Sequence, residues 1–211
     1  MLALVLCLVA QPPAADKFAR WEKDIAKIEE RLKASPPKTG AVFFAGSSSI
    51  VGWDLKKSFP DKDYVKVGFG GSQIPDSAHF APRILAPHTP GTVVFYAGDN
   101  DINAKRTPEQ VAADFKDFCA AVHKGAPKCR VLFIAVKPSI ARWKQFDIQK
   151  KANSLVREFC AADERLGFID IVPLMLGSDG MPVAELYQKD GLHMTPAGYE
   201  KWTAEVNKVL K

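Results

Sequence analysis

The stretch AVFFAGSSSI at residues 41–50 decides the fold of this chain. Residues 41–45 form a short apolar run, and such runs are typical of strands that are buried on both faces. Gly46 and three serines follow at once, so the strand is predicted to end in a tight turn that leads into a helix. A strand that continues into a helix in this way is the building unit of a parallel α/β sheet.

The same alternation of strand and helix continues along the chain. Four further strand-like runs follow, at residues 64–67, 92–96, 130–136 and 168–171. Helix-like segments lie between or after them, at residues 76–85, 108–123, 146–162 and 196–210. Proline stands in the first turn of the second and the last of these helices, where it favours helix initiation. We therefore predict an α/β fold, a three-layer α/β/α domain built around a five-stranded parallel sheet.

Upstream of the first strand, apolar residues recur at spacings of three and four. This pattern predicts an amphipathic helix packed on the outside of the sheet, and it comprises Phe18, Trp21, Ile25, Ile28 and Leu32. The chain of 211 residues is 47% hydrophobic, which is enough for one sizeable core and requires no second one. We expect residues 16–211 to form a single domain.

The first ten residues, MLALVLCLVA, are almost wholly apolar and precede the small-residue and proline segment QPPAAD. This order is typical of an export signal, so residues 1–15 are predicted to be a signal peptide and the protein to be secreted or periplasmic. The segment lacks the Lys or Arg expected before a signal core, which indicates a truncated or misplaced start; a buried N-terminal strand is the alternative. The run is shorter than the ~20 residues that span a bilayer, so we expect no stable membrane insertion.

Charge and cysteine content exclude several other functions. The net charge of +5 comes from scattered Lys and Arg without the runs or interleaved aromatic residues of a nucleic-acid groove, so no nucleic-acid partner is expected. Removal of the signal leaves Cys119, Cys129 and Cys160, with no CxxC motif and no His at metal-ligand spacing. We predict no metal site. Cys119 and Cys129 are either a disulfide or ordinary buried thiols.

Small or polar residues follow the first three predicted strands: GSSSI at 46–50, GFGGSQ at 68–73 and AGDND at 97–101. A serine in the first turn can expose its hydroxyl beside backbone N–H groups, and glycines in the second let N–H groups approach a ligand. Asn100 in the third can donate a hydrogen bond from its amide. Taken alone, each motif is more typical of a helix cap or a turn, and GFGGSQ lacks the spacing of a dinucleotide loop.

The fourth motif is DGLHMTP at residues 190–196. Thr195 and Pro196 are typical of an N-cap and a first helical residue, which places His193 just ahead of a helix. Asp190 can fold back to accept a hydrogen bond from Nδ1 of His193, leaving Nε2 free to take a proton from a hydroxyl. Ligands of parallel sheets bind at the carboxyl ends of the strands, so we expect the four motifs to meet there as an acyl-transfer site.

Together the four motifs resemble those of the SGNH hydrolases, a family named after its Ser, Gly, Asn and His motif residues. The resemblance places these residues at Ser48, Gly71, Asn100 and His193. It covers positions 46–193 and implies a flavodoxin-like sheet. The departure is Ser47, which stands where the family usually has Asp before the nucleophile. The choice of Ser48 among three adjacent serines rests on this alignment, and Ser49 is the second choice.

The resemblance implies a serine esterase with Ser48 as nucleophile, His193 as base and Asp190 holding that His. The oxyanion would be bound by the backbone N–H groups of Ser48 and Gly71 and by the Asn100 side chain. No metal or organic cofactor has a role in this chemistry. The predicted substrate is a small-molecule or glycan ester with a short acyl group such as acetyl. A lysophospholipase and a thioesterase are the alternatives within the family.

Two other classes of function compete with an esterase. One is a non-catalytic carbohydrate- or partner-binding module on the same scaffold, and the other is a flavodoxin-like nucleotide or flavin binder. The presence of all four motif residues together with Asp190 argues against the first. The loop at residues 137–143 should also face the pocket. There, Arg142 and Trp143 are candidates for contact with the substrate. The alternative is that Arg142 pairs with a surface carboxylate and that Trp143 covers the core.

Overall fold

The computed structural model describes residues 16–210, which fold around one five-stranded sheet. All of its strands pair in parallel, and they are β1 (Val42–Gly46), β2 (Val65–Gly68), β3 (Thr92–Tyr96), β4 (Arg130–Ile134) and β5 (Leu166–Ile169). Their order across the sheet is β2-β1-β3-β4-β5, which is the flavodoxin-like order. The predicted α/β fold with a five-stranded parallel sheet is confirmed.

Helices follow the strands and cover both faces of the sheet. They are α1 (Glu22–Ala34), α2 (Ser48–Val51), α3 (Leu55–Ser58), α4 (Ile74–Ile84), α5 (Asp99–Asn103), α6 (Pro108–Gly125), α7 (Phe146–Ala161), α8 (Val172–Met175) and α9 (Pro196–Val209). Pro108 and Pro196 are the first residues of their helices, as predicted. The one-turn helices α3, α5 and α8 lie in segments for which the sequence predicted no helix.

β4 and β5 end earlier than the sequence predicted, at positions where a side chain forms hydrogen bonds with the backbone. β5 ends at Ile169 rather than at residue 171, because the Asp170 carboxylate accepts the Val172 N–H (3.1 Å) and α8 begins there. β4 ends at Ile134 rather than at residue 136. There, Asn153 of α7 accepts the Val136 N–H (2.8 Å) and donates to the Val136 carbonyl (3.0 Å), replacing a strand partner with a helix side chain.

The core consists of two apolar layers, one on each face of the sheet. One layer packs under α1, α4, α6 and α7, and the other under α2, α3, α8 and α9. The first layer contains the stacked rings of Phe95 and Phe118, 3.9 Å apart. It also contains free, buried thiols, so the disulfide considered above is not formed; they are those of Cys119, Cys129 and Cys160.

The predicted signal peptide at residues 1–15 lies outside the described part of the chain. Within residues 16–210, no helix is both long and apolar enough to cross a membrane.

Candidate active site

The residues predicted to form the site lie at the carboxyl edge of the sheet. Ser48 begins α2 directly after β1, Gly71 lies in the loop between β2 and α4, and Asn100 lies in α5 after β3. Asp190 and His193 lie in the segment between α8 and α9. The sheet therefore supplies three of these positions, and a loop close to the C-terminus supplies the other two.

The loop that carries Ser48 is pinned to the neighbouring strand. Gly46 has a φ of +128°, and a Cβ at this position would lie 1.9 Å from the Tyr96 carbonyl oxygen, so no other residue fits there. The N–H of Ser47 then donates to the same carbonyl (3.0 Å). These contacts fix the direction in which the chain leaves β1 to form α2.

Exposure distinguishes the three adjacent serines. Ser47 and Ser49 are only 1% and 2% exposed, whereas Ser48 is partly exposed. Because Ser48 is the first residue of α2, its backbone N–H has no partner within that helix. The hydroxyl and the N–H of Ser48 are thus both positioned to meet a ligand.

His193 connects Ser48 with Asp190. Its Nε2 lies 3.2 Å from the Ser48 hydroxyl, and its Nδ1 lies 2.5 Å from Oδ2 of Asp190. The other oxygen of Asp190 accepts the backbone N–H groups of Leu192 and His193, both at 2.9 Å. The hydrogen bond from His193, joined by these N–H groups, lowers the pKa of Asp190 to about 2. Asp190 is therefore ionised at neutral pH and fixes the orientation of the imidazole.

The loop that carries His193 is held by its own backbone and by the loop after β4. Gln188 N–H donates to the His193 carbonyl (2.7 Å), and the Thr195 hydroxyl donates to the Glu185 carbonyl (2.8 Å). Ala141 N–H donates to the Gly191 carbonyl (3.0 Å), which joins the two loops. The imidazole consequently keeps its place although its side chain is 40% exposed.

Asn100 is tied to the loop that contains Gly71. Its Nδ2 donates to the carbonyl of Ser72 (3.1 Å), and Gly71 has a φ of +80°, a left-handed conformation that glycine adopts without strain. Oδ1 of Asn100 accepts a hydrogen bond from Arg142 (3.0 Å). Two of the three groups predicted to bind an oxyanion, Gly71 and Asn100, are thus joined by a hydrogen bond between their loops.

Sequence reasoning missed a buried group of charges behind Asn100. Asp99 lies 2.9 Å from Arg142 and 3.4 Å from the Nζ of Lys137, which is itself 1% exposed. Nζ of Lys137 also donates to the Tyr96 hydroxyl (3.2 Å). Desolvation lowers the pKa of Lys137, although Asp99 opposes this effect. A lysine at the end of the apolar run VLFIAVK was the signal in the sequence.

The side chains of Arg142 and Trp143 both contact other residues of the protein. Arg142 pairs with the buried Asp99 and with Asn100, not with a surface carboxylate. Trp143 stacks on Phe146 with ring centroids 4.6 Å apart.

Asp101 connects the Asn100 helix with the start of α4. One of its oxygens accepts the N–H of Ile74 (3.0 Å), and the side chain is completely buried. Desolvation raises the pKa of Asp101 to about 7, although the hydrogen bond from Ile74 opposes this rise. Among residues 16–210, no group of three or more His, Cys, Asp or Glu side chains is placed to hold a metal ion.

Solved structures share this fold. A GDSL-like lipase from Bacteroides thetaiotaomicron VPI-5482 has a TM-score of 0.70 at 19% identity, covering 92% of this chain and 97% of its own. An acetyl esterase whose structure contains an acetate ion has a TM-score of 0.64 at 15% identity, covering 81% and 95%. A family 3 carbohydrate esterase from Clostridium thermocellum has a TM-score of 0.62 at 19% identity, covering 81% and 94%. At these identities the similarity defines the fold, that of the SGNH hydrolases.

The model of the GDSL-like Lipase/Acylhydrolase family matches residues 39–201, which is most of the chain. The protein belongs to this family and is an ester-cleaving hydrolase. No match was found among proteins with curated functional descriptions.

Asp101 provides a test of the electrostatics of this site. Because its folded pKa of about 7 exceeds the unfolded value, the native state retains a proton that the unfolded state has lost. The stability that this proton contributes is fully present below the pKa that Asp101 has in the unfolded chain. It is lost as the pH rises towards the pKa that Asp101 has in the folded protein. In the wild type, this loss should lower the free energy of unfolding by up to about 2–3 kcal/mol between pH 5 and pH 8. We expect Asp101→Asn to lack this decrease.

Urea unfolding of both proteins at the two pH values measures this difference. Asn retains the oxygen that accepts the Ile74 N–H, so the hydrogen bond is kept. Asp163→Asn is the control, because hydrogen bonds from Arg165 hold the pKa of Asp163 below its usual range. An identical pH dependence in wild type and Asp101→Asn would contradict the expectation.

Proposed function

We propose that this acylhydrolase is a serine esterase in which Ser48, His193 and Asp190 form a catalytic triad and cleave esters through an acyl-enzyme. The observation that carries the proposal is the continuous chain of contacts from Asp190 through His193 to the partly exposed Ser48 hydroxyl. The three residues come from distant parts of the sequence, and a merely structural histidine would not need both of its nitrogens directed in this way.

In the proposed mechanism, Oγ of Ser48 attacks the ester carbonyl carbon while Nε2 of His193 takes the hydroxyl proton. Asp190 stabilises the imidazolium that forms. The tetrahedral intermediate collapses when the bond from carbon to the alcohol oxygen breaks, and His193 protonates the departing alcohol. His193 then takes a proton from water, which attacks the acyl-enzyme, and the acid leaves as Ser48 regains its proton.

Negative charge develops on the former carbonyl oxygen in both steps. We assign its binding to the N–H groups of Ser48 and Gly71 and to the Asn100 side chain. The free N–H at the start of α2 and the left-handed backbone at Gly71 support this assignment. The contact between Asn100 and the Ser72 carbonyl supports it as well, since it holds the amide beside the Gly71 loop.

We propose short acyl groups, with acetyl esters of glycans as the natural class. A cavity of about 590 Å³ begins beside the site, between Gly52 and Met194. Its wall includes Asp54, Gln188 and Glu200, whose oxygen and nitrogen atoms suit the hydroxyls of a sugar.

Two of the structural neighbours support the same class of substrate, since one is an acetyl esterase and another a family 3 carbohydrate esterase. A lysophospholipase or thioesterase would instead need an open path for a long chain.

The triad is tested by hydrolysis of p-nitrophenyl acetate. We expect Ser48→Ala and His193→Ala to lower kcat by ~10⁴-fold or more, because each removes a group that acts as part of one unit. Ser49→Ala is the matched control, since the Ser49 side chain is buried and should retain most of the activity. Full activity in Ser48→Ala, or its loss in Ser49→Ala alone, would transfer the role of nucleophile away from Ser48.

Acyl length is tested with the p-nitrophenyl esters of acetate, butyrate and octanoate. We expect kcat/KM to fall by about 10-fold or more from acetate to octanoate, because the cavity beside the site has polar side chains such as Asp54, Gln188 and Glu200 in its wall, which gain little from a longer alkyl chain. Acetylated xylan or chitin oligosaccharides, with acetate release as the readout, extend the series to glycans. A rise in kcat/KM with chain length would favour the lysophospholipase or thioesterase alternative.

We also propose that residues 1–15 direct export. The apolar run at residues 1–10 followed by QPPAAD supports this proposal. Expression of the full chain in a bacterium, followed by fractionation and N-terminal sequencing, should find a shortened protein outside the cytoplasm. A full-length protein that remains in the cytoplasm would contradict export.

A further inference from the structure

Two cations lie behind Asn100, and the proposed mechanism does not use them. Arg142 and Lys137 share the single carboxylate of Asp99, at 2.9 Å and 3.4 Å. The side chains are 13%, 1% and 7% exposed respectively, so the whole cluster is withdrawn from solvent. Burying charges costs free energy even when they are paired, and an arrangement with more cations than anions costs more. Stability alone therefore does not explain why these charges are buried, and a role in the function of the site is the alternative.

The contact between Arg142 and Asn100 has a geometric consequence for the amide. A side-chain amide can rotate by half a turn and exchange its oxygen and nitrogen. Here Oδ1 meets the guanidinium of Arg142, which only donates, and Nδ2 meets the carbonyl of Ser72, which only accepts. The rotated amide would face donor with donor and acceptor with acceptor, so only one orientation is satisfied.

Within residues 16–210, the locked orientation leaves one N–H of the Asn100 amide without a hydrogen-bond partner. Nδ2 carries two hydrogens, and the Ser72 carbonyl takes one of them. The second is free to point at an oxyanion that also meets the N–H groups of Ser48 and Gly71. An amide whose oxygen accepts from a guanidinium is polarised, which makes its N–H a stronger donor.

Arg142 is itself fixed by the rest of the cluster. Its Nη1 lies 2.9 Å from Asp99 in an ionic contact that lacks hydrogen-bond geometry, and its Nη2 donates a hydrogen bond to Asn100. Asp99 is in turn held by Lys137, and Lys137 by the Tyr96 hydroxyl. Tyr96 ends β3, so the orientation of the Asn100 amide is traced back to the sheet.

We propose that Arg142 is a positioning residue that locks and polarises the Asn100 amide for oxyanion binding, with Asp99 and Lys137 holding its guanidinium. The inference rests on the proposed esterase function. The guanidinium of Arg142 lies one side chain away from the oxygen that becomes negative in the transition state.

The test compares Arg142→Gln with wild type on p-nitrophenyl acetate. We expect kcat to fall by ~10–10²-fold, part of the loss that follows complete removal of an oxyanion donor, while KM changes less than about 3-fold. Active sites are counted by titration with a serine-reactive phosphonate, so that kcat refers to folded, reactive enzyme. Arg165→Gln is the matched control, because Arg165 pairs with Asp163 just before β5, at the opposite edge of the sheet.

A double-mutant cycle with Asn100→Ala separates positioning from a general structural effect. If Arg142 acts through Asn100, Arg142→Gln should lower kcat by less than about 3-fold in the Asn100→Ala background. Losses that multiply in the double variant would overturn the proposal, as would an unchanged kcat in Arg142→Gln.

Arg142→Lys carries the same test if Arg142→Gln does not fold. An ammonium retains the charge but cannot reproduce the fork between Asp99 and Asn100, so we expect an intermediate kcat. Wild-type activity in Arg142→Lys would overturn the locking argument. If wild type is inactive or Ser48→Ala remains active, the proposed function fails first; if only the Arg142 variants behave as wild type, this inference alone fails.

Discussion

The arrangement of the whole catalytic edge depends on the parallel pairing of β1 with β3, which ends with Gly46 opposite Tyr96. Backbone hydrogen bonds continue beyond the ends of β1 and β2, because the Ser47 N–H donates to the Tyr96 carbonyl and the Phe69 N–H donates to the Gly46 carbonyl. The loops that follow β1, β2 and β3 therefore begin side by side at the carboxyl edge of the sheet. A slip of this register by one residue would turn every side chain of the strand to the other face and separate the loops.

Much of this arrangement could be predicted from the sequence. Strands buried on both faces appear as apolar runs, so their number and order along the chain were predictable, and parallel pairing followed from the helices between them. Strand ends were less accurate at β4 and β5. There, Asn153 and Asp170 bond to the backbone, and a side chain in a later helix or turn leaves no mark in the hydrophobic pattern. The motifs that contain Ser48, Gly71 and Asn100 each follow a predicted strand, so the sequence also predicted that these residues lie at one edge of the sheet.

The ion cluster was beyond sequence reasoning for a physical reason. Lys137 and Asp99 are 38 residues apart, and Arg142 and Asn100 are 42 residues apart. Their contacts exist only because β3 and β4 are neighbours. Apart from the apolar run that precedes Lys137, each residue alone resembles an ordinary charge in a loop. The structure identifies the cluster by its burial, because a charged side chain is withdrawn from water only when partners replace the solvent.

The site has two parts with different anchorage. Ser48 and Asn100 follow central strands, whereas Asp190 and His193 belong to the long segment between α8 and α9. Backbone hydrogen bonds, a bond from the Tyr187 hydroxyl to the Pro138 carbonyl and the buried Met194 side chain hold this segment. Local opening of such a segment takes less free energy than global unfolding. On warming, we therefore expect the segment that carries Asp190 and His193 to open before the sheet that positions Ser48. Inactivation by such an opening would be reversible as long as the sheet survives, and we expect amide hydrogen exchange to be faster around residue 190 than in β3.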